Sequence, residues 1–471
     1  MKLRLLALLL IISILLPGCL RLSPADVEST APTVDSTPTI ETTVPTAPST
    51  APSTEATEPP TEPPTEPTEP EPEIDAKMLP MGDVYITAGA ITKEYGQAQL
   101  EAVWSDGSIE SQTIEIKLRG HSSDWSAKKS YNIKFAEKQP FMGMSDAKRW
   151  SLLANPLDKS LLRAVMGFDL AELMGLPWVS DTRLCKVHLN GTYMGVYVAI
   201  EPVEDKKNRV DIDTKAGDAI FEKDVKRADA GDIIFSSNAG LRFKLDEPGE
   251  ATQAQIDAYL AVLNTVEQAV STFDYNVYSK YLDIPSFVDF YIFHEIIKDI
   301  DFAQYSTRYV YKDGILYAGP PWDLDLTQGN VSMRSQEWHY MAYHNRNGYG
   351  NNSGDSTQEM WIHRDYYIWL CEDPYFMDLV RARWQEVKPL AESMVWETEA
   401  GPSRLDEYLT AHREDLESNY TVAGWNIAKP TTAIEYNKPA KDYMGNVEYL
   451  RTWLQKRIAW LDTALTPQSP E

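Results

Sequence analysis

Positive charge is scarce in this chain: 44 Lys and Arg stand against 70 Asp and Glu, for a net charge of −26. That balance argues against nucleic acid and anionic lipid as general partners. Cysteine is scarcer, with three residues, Cys19, Cys185 and Cys371. The two beyond the N-terminal stretch are too few for a disulfide framework and are expected to stay unpaired. The seven histidines include no His-x-x-x-His pair, so His339, His344 and His363 are read as surface or packing residues. No Gly-x-Ser-x-Gly elbow, zinc motif or Walker loop occurs. No internal repeat is evident.

The N-terminal stretch carries an address. Lys2 and Arg4 precede an apolar run from Leu5 to Leu16, too short to span a bilayer and typical of a signal h-region. The following "LPGC" resembles a bacterial lipobox. The resemblance implies that residues 1–19 are a lipoprotein signal peptide, with Cys19 as the lipid-bearing residue. Residues 20–76 then read as a Pro/Thr/Glu-rich disordered tether. From Leu22 onward this segment holds 13 of the 30 prolines and 12 acidic residues, with no aromatic, Lys or Arg. In extended polyproline form, about 50 residues reach on the order of 150 Å, enough to carry a domain into a thick cell wall. The expected location is the extracellular face of the cell membrane, with membrane contact through the lipid alone.

Residues 77–471 exceed the usual single-domain length, so two lobes are expected. From Val84 to Leu118, apolar and polar residues alternate as in antiparallel strands. A polar loop from Arg119 to Lys129 precedes the strand "SYNIKF", which carries Lys134. Asp158 is the expected N-cap of a helix that Gly175 and Pro177 end. Two further strands meet at Asn190-Gly191, a strong hairpin signal. A charged connector then leads into helices. These include an amphipathic stripe over residues 252–271 and an apolar helix over 286–298. Asp301, a short hairpin turning at Asp313-Gly314, and "GPPWDLDLTQGN" follow. Asp323 and Asp325 in that last string stand at strand spacing, which predicts both carboxylates on one face. The order of elements is that of protein kinases: a sheet lobe, a helical lobe, and a catalytic Asp and a metal-binding Asp on either side of a hairpin.

Five strings, "LRGHSSDWSAKKSYNIKF", "NPLDKSLLRAVMGFDLAELMG", "VHLNGTYMGVYVAIEPV", "KDIDFAQYSTRYVYKDGILYAGPPWDLDLTQGN" and "YLRTWLQKRIAWLD", together resemble the CotH family of atypical kinases, named for bacterial spore-coat proteins. The resemblance runs from about Leu79 to Asp462. It implies an α+β, two-lobed atypical protein-kinase-like fold, with an antiparallel-sheet N-lobe over about 77–204 and a mainly helical C-lobe over about 205–466. It also implies a surface-anchored kinase that transfers phosphate from ATP to protein Ser or Thr. The alternative is a catalytically inactive module of the same fold that binds a surface partner.

On the kinase reading, Asp323 holds Mg or Mn, with Asp325 as a second or outer ligand. Asp301 orients or deprotonates the substrate hydroxyl. Lys129 or Lys134 reaches the phosphates, near Arg119 and the backbone of Gly120–Ser123; Lys128 and Lys129 read equally as a solvated pair or with either one on the phosphates. Trp322, or another aromatic, packs on adenine. Glu201, closing a strand at the expected hinge, reads as a nucleotide-binding residue or a rim charge, and Glu172 as the helix partner of the lysine. One departure stands out: five residues beyond Asp301, where familiar kinases carry a metal-binding Asn, this chain has Ser306. The Gly-Asn-rich loop from Asn345 to Ser356 is a candidate substrate contact.

Overall fold

Seven strands close into a barrel. They are β1 (Gly82–Ala88), β2 (Gly96–Val103), β3 (Ile109–Arg119), β4 (Ser130–Phe141), β5 (Met144–Leu153), β6 (Thr182–Leu189) and β7 (Thr192–Ile200). Their order is β1-β2-β3-β4-β5-β7-β6. All pairs are antiparallel except β1 with β6, which closes the barrel in parallel. This computed structural model describes residues 75–104, 107–120, 126–223, 231–299, 301–303, 305–331, 365–432 and 438–466. Cys19, the tether up to residue 74, His121 to Ser123, the three histidines noted above and the Asn345–Ser356 loop lie outside the described residues.

The barrel follows from the period of two along its strands. Ile114, Ile116, Tyr131, Ile133 and Phe135 turn inward around a fully buried Trp150. Glu115, Lys117 and Lys134 take the alternate positions outside. At the β6–β7 turn, Asn190 and Gly191 both have positive φ, 50° and 78°, as a tight two-residue hairpin requires. The side chain of Asn190 exchanges two 3.0 Å hydrogen bonds with the backbone of Ala88.

The connector expected after Glu201 contains strands. A second sheet combines β8 (Ala219–Lys223), β9 (Ile233–Ser236), β10 (Arg242–Glu247), β11 (Thr307–Lys312) and β12 (Ile315–Ala318), in the order β12-β11-β8-β10-β9. The C-terminal half is therefore less helical than its periodicity predicts. β8 reads "AIFEK" and is buried throughout, so it lacks the alternation that would betray a strand.

Six longer helices among the described residues accompany the two sheets: α1 (Arg163–Leu173), α2 (Gln253–Ser271), α3 (Ile284–Ile297), α4 (Pro374–Ser393), α5 (Arg404–Ser418) and α6 (Tyr443–Leu465). α1 begins later than the sequence predicts. Asp158 does not cap it but holds the preceding turn, accepting at 2.9 Å from the backbone N–H groups of both Ser160 and Arg163. α2 buries the expected stripe of Tyr259, Leu263, Val266 and Val270 and starts at a Thr252/Gln255 capping box. α3 is buried on nearly every side. Its Glu295 pairs at 2.7 Å with Arg457 of α6, both side chains fully shielded from solvent. Cys185 and Cys371 are buried and unbridged. Among the described residues, no helix is long and apolar enough to cross a membrane.

Candidate functional site

α3 ends at Lys298 in a left-handed conformation (φ 49°), and the chain then turns through Asp299 and Asp301 toward β11. Ala303 and Ser306 also have positive φ, 64° and 53°. After β12, Pro320 and Pro321 supply no N–H for a ladder, so the sheet stops there. Asp323 follows at φ 62°, ψ 55°, and Leu324–Leu326 form one 3-10 turn. The strand expected for Asp323 and Asp325 is thus absent, and their shared face cannot come from strand alternation. Five non-glycine residues in left-handed conformations, counting Gln328 at φ 51°, surround this one region. Such strain persists only where surrounding contacts enforce it.

Those contacts are visible. The backbone N–H of Gln328 donates to the carbonyl of Ile297 at 2.6 Å, and its side-chain amide donates to Arg163 O of α1 at 2.8 Å. Leu324 packs so closely on Gly167 that a Cβ there would lie 2.8 Å from its Cδ1. Tyr449 of α6 donates to Gly329 O at 3.0 Å. Three helices therefore hold the aspartate turn.

The turn brings carboxylates together. The Ser306 hydroxyl lies 3.4 Å from Asp323 Oδ2, its acceptor. Burial holds the Asp325 carboxyl well above the usual carboxylate range, and the negative charges of Asp323, Asp158, Asp301 and Asp299 push it the same way. Asp299, buried, is pushed up to about 7, again by burial first, with Asp323 adding to it against hydrogen bonds from the backbone of Asp301 and Phe302. The Asp301 N–H donates to Asp299 Oδ1 at 2.9 Å. Sequence reasoning passed over Asp299, although its signal was present two residues before Asp301. It also passed over His294 of α3, whose Nδ1 is 3.3 Å from Asp299 Oδ2 and whose ring stacks on Phe302 with centroids 4.0 Å apart. Burial holds that imidazole well below its ordinary pKa, hence neutral.

Cationic groups approach from two sides. Arg119, at the end of β3, lies within electrostatic reach of Asp323 and Asp325. Arg308 of β11 bonds Asp246 and Glu222, each at 3.1 Å. Both guanidiniums lie over the Trp322 ring, 5.1 and 5.5 Å from its centroid. Trp322 is thus a buried ring that two arginines share. Lys129 is half-buried and immediately precedes Ser130, the β4 residue paired with Arg119.

Other candidates lie elsewhere. Lys134 pairs with Glu115 at 2.8 Å on the outer barrel surface, four residues along β4 from Ser130, or on the order of 13 Å. Glu201 is buried at the end of β7, where the Ser145 hydroxyl donates to it at 2.5 Å. Glu172 pairs with Lys77 at 2.7 Å and with neither proposed phosphate lysine. Lys128 is not part of a solvated pair: it is 4% exposed. Asn419, 291 residues away, accepts from it at 2.8 Å, a contact with no local sequence signal.

The donor set consists of carboxylates, the ligands a hard divalent cation takes. Among the described residues, no three His, Cys, Asp or Glu side chains form a ready-made metal shell. A magnesium-type site needs only one or two carboxylates, with phosphate oxygens and water completing it. The crowding around Asp325, in which four further carboxylates raise its proton affinity, fits such an ion. Residues 116–461 match the family model described as CotH kinase protein. No curated protein matches the chain.

Proposed function

Because the chain belongs to the CotH kinase protein family, we propose that it transfers the γ-phosphoryl group of ATP to a Ser or Thr hydroxyl of a protein. The observation that carries this reading is the convergence of Asp299, Asp301, Asp323 and Asp325 beside Arg119, at a turn held by three helices. In the proposed layout the barrel is the N-lobe, and the second sheet with its helices is the C-lobe.

Asp323 and Asp325 would hold the Mg or Mn ion, which when bound supplies charge neutralisation on the phosphates. The side chains of the protein do the rest. Asp301, half-buried and, like the solvent-exposed Asp323, within electrostatic reach of Asp325, accepts the proton of the attacking hydroxyl. Arg119 and Lys129, at adjoining ends of β3 and β4, carry the positive charge that faces the phosphates. Trp322 offers its ring to the guanidiniums of both Arg119 and Arg308. The N-terminal reading completes the proposal: Cys19 anchors the protein by lipid outside the cell, and the acidic Pro-rich segment spaces the kinase from the membrane.

The test uses the full chain with Mn²⁺, a generic acceptor protein and ATP labelled at the γ or the α phosphate. Incorporation of γ label, lost in Asp301→Asn and Asp323→Ala, is the expected result. Incorporation of α label would mean nucleotidyl transfer. No label at all, with no ATP-dependent rise in Tm, would leave the inactive binding module as the reading.

A further inference from the structure

Beside the acid cluster lies a cavity of about 260 Å³ that none of these roles uses. Its walls come from residues 126–128 ahead of β4, residues 155–159 ahead of α1, and residues 419–431 behind α5. Lys128 is buried in one wall. Its ammonium donates to Val196 O and Asn419 Oδ1 and sits between the rings of Tyr197 and Trp425, 4.8 and 5.1 Å from their centroids. An ammonium has three donors, and these two bonds leave one.

Asn155 faces the same space. It is 7% exposed and held at φ 42°, and its Nδ2 has no hydrogen-bond partner. A buried amide left unpaired forfeits its hydrogen bond to water without replacement, so such a group calls for an acceptor from outside the fold. Lys159 and Lys429 add positive charge to the lining. The one carboxylate among the described lining residues, Asp158, is already committed to Ser160 and Arg163. The cavity thus offers donors, positive charge and a flat indole, but no carboxylate that is uncommitted.

We propose that this cavity binds a small organic oxyanion, its phosphate or carboxylate seated on Lys128 and Asn155 and its attached planar ring against Trp425. The position of the indole supports this pose. Gly195, at φ 94°, lets β7 approach so closely that a Cβ there would lie 2.3 Å from Asn419 Oδ1 and 2.4 Å from the Trp425 ring. Trp425 and Asn419 are thereby pinned on the side of the cavity where Lys128 lies. Burial draws the Lys128 ammonium down to about 7, and an anion beside it restores its charge. The site does not depend on phosphoryl transfer. Its ligand can come from two sources, nucleoside phosphates or small aromatic acids.

The experiment is isothermal titration of the full chain in chelator with phenyl phosphate and with AMP. Phenyl phosphate is expected to bind, with Asn155→Asp and Trp425→Ala each weakening it at least tenfold and Asp323→Ala leaving it unchanged. Asn155→Asp keeps the side-chain size and the tolerance of positive φ while replacing the donor by an acceptor, so a loss there is not a folding defect. AMP binding with the same dependence on both variants assigns the nucleoside phosphates. Phenyl phosphate binding without AMP binding assigns the small aromatic acids. No binding of either at millimolar concentration, or binding that neither variant weakens, overturns the proposal. Binding here without label transfer from ATP would sink the kinase reading alone, and label transfer without binding here would sink this one alone.

Discussion

The hydroxyl of Ser306 donates to Oδ2 of Asp323 at 3.4 Å, joining two residues that both hold left-handed backbone conformations. Ser306 stands where a metal-binding Asn occurs in familiar kinases, and its side chain does reach the proposed metal ligand. Asn tolerates positive φ better than Ser or Ala. Ser306→Asn is therefore expected to keep the wild-type Tm and to retain phosphoryl transfer with a lower Mn²⁺ requirement. Ser306→Ala should lose about three- to tenfold in transfer, the worth of one hydrogen bond. Label incorporation titrated against Mn²⁺ decides it. A Ser306→Asn variant that loses activity at wild-type Tm would remove the residue from the site.

Asp325 sits among four other carboxylates in poorly solvated surroundings, so its charge is costly without a cation. Asp325→Asn is expected to stabilise the metal-free protein, by on the order of 1 kcal/mol, while lowering transfer at least tenfold. The same argument predicts that Mg²⁺ or Mn²⁺ raises the Tm of the wild type more than that of the variant. Thermal melts in chelator and in Mn²⁺ measure both. A variant less stable than wild type in chelator would mean that Asp325 holds the fold by contacts other than repelling its neighbours.

The parts of this molecule legible in sequence are those whose causes are local. Alternation along β1 to β4 reports the inside of the barrel, and Asn190-Gly191 and Asp313-Gly314 mark turns whose residues all have positive φ. β8 escaped because a strand buried on both faces has no period. The geometry at Asp323 escaped because two prolines ended the sheet before the residues that strand spacing would have paired. Glu172 found Lys77 across 95 residues, and Lys128 found Asn419 across 291. Pairings at such separations leave no mark on the local pattern. The aspartates themselves were legible; the cavity beside them was not, because it is assembled from three distant stretches of chain.

Burial lowers Lys128 from its ordinary 10.5 to about 7, while in the unfolded chain it returns to the ordinary value. Between about 7 and 10.5 the unfolded state therefore binds the extra proton. The contribution of this residue to stability rises with pH across that window and is least favourable below it. The groups that share its field are Cys185, itself pushed up to about 12 by burial, Asp158 and Lys159. The linked change is on the order of 4 kcal/mol between pH 7 and pH 10. Denaturant melts over that range should show a rise in stability that flattens in Lys128→Met. Parallel profiles for the two proteins would mean that Lys128 keeps its ordinary pKa.

The pair formed by Glu295 and Arg457 lies under the aspartate turn. Arg457 Nη2 meets Glu295 Oε2 at 2.7 Å, and its Nε donates to Glu295 O at 2.8 Å. Removing one partner leaves a buried charge, so Arg457→Met should cost about 3–5 kcal/mol, and adding Glu295→Leu should recover much of it. The consequence reaches the site because the carbonyl of Ile297, two residues beyond Glu295, accepts from the N–H of Gln328 at 2.6 Å. If α3 loosens against α6, the turn carrying Asp323 and Asp325 loses its seat. Arg457→Met should therefore reduce phosphoryl transfer even at temperatures where it remains folded, and the double variant should restore stability more fully than transfer. Equal recovery of both would mean that the ion pair serves stability alone and that the turn is held by α1.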